Sequence, residues 1–127
     1  MGILDDIKDF VSPYLNGIIE AFKAFMEKVK GVVKTIFTRI VDFKNQIVGW
    51  FKSLNLKKGI HIPFITKMED FKTMLKNAPK VNGGVFLFAG VYDEQTDEIT
   101  NLQYIAANQY DKMTAELLNK EELVVLT

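Results

Sequence analysis

The sequence predicts an α+β protein: a long N-terminal amphipathic helix followed by a small β-α-β-β-α-β domain. The small domain reads as a ferredoxin-like split βαβ unit or a variant strand order of it. Three observations lead there. Apolar residues recur at helical spacing from Pro13 to Asn55, the spacing changes after Gly59, and Val85–Tyr92 is apolar on both faces.

At 100° per residue, one side of the first segment gathers Leu15, Ile18, Ile19, Phe22, Phe25, Met26, Val29, Val32, Val33, Ile36, Phe37, Ile40, Phe43, Ile47, Trp50, Phe51 and Leu54. A helix over that segment is about 64 Å long at about 1.5 Å per residue. Ser12-Pro13 has the pattern of an N-cap followed by proline at the first helical position. The stripe nevertheless continues in phase through Leu4, Ile7 and Val11, so the helix is either kinked at Pro13 or begins there. Gly31 is the one place for a hairpin. Its neighbours lack the proline, asparagine and serine of a helix-helix connection, which predicts a continuous helix. Lys57-Lys58-Gly59 suits a helix end.

Beyond Gly59 the period becomes two. Ile60, Ile62 and Phe64 alternate with His61 and Pro63, predicting a short strand with Pro63 at an edge or strand end. Thr66 and Glu69 form a capping-box pattern ahead of a helix carrying Met68, Phe71, Met74 and Leu75, stopped before Pro79. Asn82-Gly83-Gly84 predicts a turn. Val85–Tyr92, apolar on both faces, predicts an interior strand, which disfavours the ferredoxin-like order that would leave it at an edge. Asp93–Asp97 forms a hairpin tip, and Glu98–Ala107 returns beside the strand. Asn108 can cap a helix carrying Tyr110, Met113, Leu117 and Leu118, and Leu123–Leu126 closes the sheet. The domain boundaries are therefore 1–58, an amphipathic helical region, and 59–127, a small α/β head.

Composition narrows the function classes. Of 127 residues, 48% are hydrophobic and 25% charged, which excludes wholesale disorder. The formal charge is zero but unevenly placed: residues 1–58 hold ten basic and six acidic side chains, net +4, and 59–127 hold six and ten, net −4. Arg39 is the only arginine among sixteen cationic residues, which argues against sequence-specific nucleic-acid readout. With no cysteine, disulfides, thiolate metal sites and thiol nucleophiles are excluded. The acidic start Asp5-Asp6 does not read as a secretory signal, and no stretch reaches the roughly 18 apolar residues of a spanning helix.

Residues able to carry chemistry are few. His61 is the single histidine and has no second histidine for a relay or a metal pair. Asp93, Glu94, Asp97 and Glu98 gather at a hairpin tip without the spacing of a calcium loop. Asn82-Gly83-Gly84 lacks the Lys-Ser or Lys-Thr of a phosphate loop. No catalytic, cofactor-binding or metal-binding residue is expected, and no cofactor or small-molecule substrate.

The functional signal is the stripe itself, whose apolar surface exceeds what about 68 residues of head domain can cover. The expectation is a non-enzymatic structural or assembly protein, such as a minor component of a phage particle or bacterial envelope assembly. Leu15, Ile18, Phe22, Phe25, Met26, Val29, Val33, Ile36, Phe37, Ile40, Phe43, Ile47, Trp50 and Phe51 would form a membrane or oligomer interface. Lys23, Lys30, Lys34, Lys44 and Lys52 would form its basic flank, placing the chain peripherally on a lipid surface. A soluble helical-bundle oligomer, or an adaptor for a partner protein, is the alternative: Leu15, Phe22, Val29, Ile36, Phe43 and Trp50 recur every seven residues. A ligand-binding or enzymatic head is the third reading.

Overall fold

The computed structural model describes residues 15–76 and 84–126, together with the backbone pairing of Ile7–Lys8. The expectations at Ser12-Pro13, Pro79 and Asn82-Gly83 lie outside the described residues. Ile7–Lys8, placed by the sequence within a helical pattern, is instead a two-residue strand, β1.

The first helix, α1, spans Leu15–Lys28 and not the whole of 13–55. It ends in a Schellman arrangement. The amide of Lys30 donates to the Glu27 carbonyl at 3.2 Å, and that of Gly31 to the Met26 carbonyl at 2.8 Å. Lys30 and Gly31 both take left-handed backbone angles, φ 59° and 76°. A Cβ at Gly31 would lie 2.8 Å from the Met74 carbonyl oxygen, so glycine is required there on two counts.

The chain then runs into strand β2, Thr35–Val41, where Thr35, Ile36, Thr38, Ile40 and Val41 are β-branched. Such residues lose rotamer freedom in a helix and fit a pleated surface. The predicted continuous helix fails here because Ile36 and Ile40, four apart, satisfy helical phase and strand alternation alike. A π-helical turn follows at Phe43–Val48 and continues as α2, Gly49–Ser53. The Asp42 carboxylate caps it, accepting from the Asn45 amide at 3.0 Å; that bond lowers the carboxyl pKa below its ordinary value.

The remaining elements follow the predicted β-α-β-β-α-β sequence: β3 His61–Thr66, α3 Glu69–Lys72, β4 Val85–Asp93, β5 Glu98–Tyr110, α4 Lys112–Lys120 and β6 Leu123–Leu126. Strand β5 runs past the expected cap Asn108. Asp111 caps α4 instead, one carboxylate oxygen accepting from the Thr114 amide at 2.9 Å and the other from the Phe43 amide at 2.7 Å. One side chain thus holds the start of α4 to the start of the π-helical turn.

All six strands join one sheet in the order β1-β6-β3-β4-β5-β2. Neighbours are antiparallel except β2, which lies parallel to β5. Within the second half the spatial order is β6-β3-β4-β5, not the ferredoxin-like order, and β4 is interior as its two apolar faces require. Pro63 sits where β3 is open on one side, because β6 pairs only with Phe64, Ile65 and Thr66.

Helices cover both faces. On one, Ile18, Ala21, Phe22 and Met26 of α1 and Phe71 of α3 pack on Phe64, Phe88, Tyr104 and Val125. Phe22 stacks on Phe71 at 3.9 Å between centroids and meets Phe88 edge-on at 5.1 Å. On the other face, Phe43, Ile47 and Phe51 join Leu117 and Leu118 of α4 over Ile65, Leu87, Ala89, Val91 and Ile105. Regions 1–58 and 59–127 therefore share one sheet and both cores. Gly17 faces the sheet, where a Cβ would meet the Tyr92 hydroxyl at 2.7 Å.

Candidate interaction surface

The structure divides the predicted interface among three places. Ile18, Phe22, Met26 and Val33 are buried in the core under α1, with Leu15, Phe25 and Val29 packed against it. Phe43, Ile47 and Phe51 are buried in the opposite core, with Ile36 and Trp50 at its margin. Only Phe37 and Ile40 remain exposed, at 68% and 39%. Twelve of the fourteen predicted interface residues are thus satisfied inside the monomer, and of the wider stripe Val32 is also exposed, at 55%. The stripe's apparent excess came from counting two core-facing helices and a strand as one rod.

The basic flank is exposed throughout but is no single flank. Lys23 lies on α1, Lys30 and Lys34 in the connection to β2, and Lys44 and Lys52 on the π-helical turn and α2, across the sheet. Among the described residues no helix is long and apolar enough to cross a membrane.

Phe37 and Ile40 belong to β2, the last strand on its side of the sheet. The Lys34 carbonyl accepts from the Tyr104 amide at 3.0 Å. Because a residue's N–H and C=O point to the same side of a strand and neighbours alternate, the backbone groups of Thr35 and Phe37 point outward. The Val41 carbonyl accepts from the Asp111 amide at 3.0 Å, so the alternation breaks before Val41, at Arg39, which has no partner in the register with β5. Phe37, Thr38 and Arg39, with Ala106, Ala107 and Asn108 of β5, line an open recess of about 330 Å³. An aromatic ring, the only arginine and the outward backbone groups of Thr35 and Phe37 share this edge. That combination suits pairing with another strand.

A second recess, about 510 Å³, lies between the end of α1 and the segment after α3. Met26 and Met74 supply apolar surface, and Lys23, Lys30 and Lys76 are three cations at its rim beside Glu27.

The polar candidates form no comparable constellation. His61 stands opposite Asp93 in the β3–β4 register, with Nε2 3.8 Å from its carboxylate, a neighbour that sequence spacing does not reveal. The Nδ1 atom of His61 accepts from the Lys57 amide at 2.9 Å, which fixes the loop entering β3. At the hairpin tip, Asp93 accepts from the Gln95 amide at 2.8 Å and Asp97 accepts from the Tyr92 hydroxyl, so these carboxylates shape the turn. Among the described residues no three His, Asp or Glu side chains converge as a metal site would require. The buried Tyr104 hydroxyl and Thr114 Oγ1 make no hydrogen bond. No known protein family, curated protein or solved structure matches the chain.

Proposed function

We propose that this chain is a non-enzymatic structural or assembly protein whose contact element is the outer edge of β2. The observation that carries the reading is the 68% exposure of Phe37 on a terminal strand whose backbone groups face outward. An open, apolar edge is a template for another strand, and natural sheets usually blunt such edges with lysine, proline or a bulge. Thr35–Val41 has no lysine and no proline. Burial of Ile18, Phe22 and Met26 under α1 leaves that helix an outer face of charged residues, which favours protein association over insertion into lipid.

Sedimentation velocity over a wide concentration series tests this, beside flotation with anionic vesicles. Mass that rises with concentration, and falls back in Phe37→Asp, supports assembly through β2. A monomer at every concentration that floats only with anionic lipid overturns it in favour of a membrane surface.

A second reading has the recess at Lys23, Lys30 and Lys76 behind it. Three cations around two methionines suit an anionic amphiphile, with its tail on Met26 and Met74. Titration with a long-chain fatty acid against Lys30→Glu and Lys76→Glu tests that reading separately.

A further inference from the structure

We propose that His61 is a proton-operated latch. Neutral, its ring holds the loop between α2 and β3 closed through the Lys57 amide; protonated, it releases that amide and stays beside Asp93.

Two bonds close the loop on itself. The His61 amide donates to the Lys57 carbonyl at 3.0 Å, and the Lys57 amide donates to Nδ1 of the His61 ring at 2.9 Å. A ring nitrogen that accepts from an N–H carries no hydrogen, so the neutral ring bears its single proton on Nε2. Nε2 lies 3.8 Å from the Asp93 carboxylate, which stands opposite in the register of β3 and β4. That is beyond hydrogen-bond distance and within reach of an ion pair. Strand β6 pairs with Phe64, Ile65 and Thr66 and does not reach His61.

A second proton has one place to go. It must bind Nδ1, where the new N–H would point at the Lys57 N–H, and two donors cannot share one hydrogen bond. Protonation therefore breaks the Lys57 bond. The charges around the ring decide which side moves. On the hairpin, Asp93 faces the ring, Glu94 follows it, Glu98 pairs with Asp93 across the turn, and Asp97 accepts from the Tyr92 hydroxyl; these carboxylates favour an imidazolium where the ring now stands. On the other side, α2 and the loop carry only cations, Lys52, Lys57 and Lys58, which an imidazolium repels. The Glu94 amide donates to the Ile60 carbonyl at 2.9 Å, a bond the proton leaves intact, so the start of β3 stays on the hairpin. The ring remains and the Leu56–Lys57 peptide turns away. Lys57 is exposed, so water takes its amide and no buried donor is left behind. Asn55, held at φ 54° in the left-handed region, is then free to relax, between Leu54 and Leu56 at the margin of the second core.

NMR of the full chain labelled with 15N, from about pH 8 to about pH 5, spans the range in which a histidine ordinarily changes charge. At the upper end the ring nitrogens of His61 should show the proton on Nε2. As the ring gains its second proton, protection of the Lys57 amide against exchange, corrected for the intrinsic effect of pH, should fall about tenfold, while amides paired further along β3 and β4 keep theirs. His61→Ala removes the acceptor, so its Lys57 amide should be as unprotected at the upper end as the parent's is at the lower. Asp93→Asn keeps an oxygen for the Gln95 and Thr96 amides and removes the charge facing Nε2, so release should need a lower pH. A neutral ring with its proton on Nδ1, a Lys57 amide equally protected across the range, or a His61→Ala chain that still loses protection in step with pH overturns the latch.

Discussion

Phe22 and Phe37 occupy the same helical-phase stripe in the sequence, yet the structure gives them opposite fates, and replacing each by alanine separates the two arrangements. Phe22 is fully buried, stacked on Phe71 at 3.9 Å and edge-on to Phe88 at 5.1 Å. Truncating a buried phenylalanine costs about 3–5 kcal/mol, from lost transfer energy and from the cavity left behind. Phe71, Phe88 and Phe64 are themselves fully or almost fully buried, so the site cannot collapse, and we expect about 4 kcal/mol. For a chain of this size that lowers Tm by about 15 °C. Phe37 is 68% exposed, and Phe37→Ala should stay within about 0.5 kcal/mol at concentrations where the protein is monomeric. Urea unfolding followed by far-UV circular dichroism measures both. Similar, small losses for the two variants would refute the buried α1 and restore a rod with one uniformly exposed stripe.

Three further predictions test the packing. Gly90→Ala places a Cβ 2.7 Å from Phe64 Cζ and 2.9 Å from Leu102 Cδ1, and since Phe64 is fully buried we expect a loss of about 1–3 kcal/mol; an unchanged urea midpoint would show that the ring can give way. Burial, aided at Tyr92 by its bond to Asp97, pushes the hydroxyls of Tyr92 and Tyr110 up to about 12 from an ordinary value near 10. The unfolded chain therefore releases these protons first, so their contribution is complete below about pH 10 and is lost between pH 10 and 12; the urea midpoint should fall across that window, less steeply in Tyr92→Phe. The isolated fragment 59–127 lacks α1 over Phe64, Phe88 and Tyr104, and Phe43, Ile47 and Phe51 over Leu87 and Ile105, so it should show no cooperative thermal transition. A sigmoidal melt from that fragment would establish it as an independent domain.

The second half of the fold was legible because each element there has one dominant signal. Val85–Tyr92 is apolar at every pleat and has strands on both sides. Pro63 marks a strand position open on one side, and the Asp93–Asp97 cluster marks the hairpin tip. The order of strands was legible only in part, since a strand's burial constrains its place but not the partner that β6 chooses. The first half misled for a physical reason. Ile36, Ile40, Phe43 and Ile47 keep helical phase across a strand and a π-helical turn, and nothing in periodicity distinguishes that from one helix. Two local signals pointed the other way: β-branching in five of seven residues of β2, and Gly31 as a left-handed stop. The absence of a polar turn cluster outweighed them, although the Schellman arrangement at Lys30 and Gly31 needs no such cluster. Of the proposed contact edge, Phe37, Ile40 and the singular Arg39 were visible as residues. Their meeting on one terminal strand was not, because it depends on β2 joining β5 about 70 residues later in the chain.

The two ends of the sheet carry the remaining argument. Beyond β6, the described pairing is only two residues, Ile7 with Leu126 and Lys8 with Val125, and a short edge offers little template. At β2 the edge is seven residues long, with its single charge at Arg39. A lysine there would serve equally to keep the edge soluble, and lysine supplies all fifteen of the other cations in the chain. Arginine differs from lysine in its planar face, which lies flat on an aromatic ring. Its placement two residues from an exposed Phe37 sets the one planar cation of the chain beside the exposed aromatic ring of the edge proposed as the contact element.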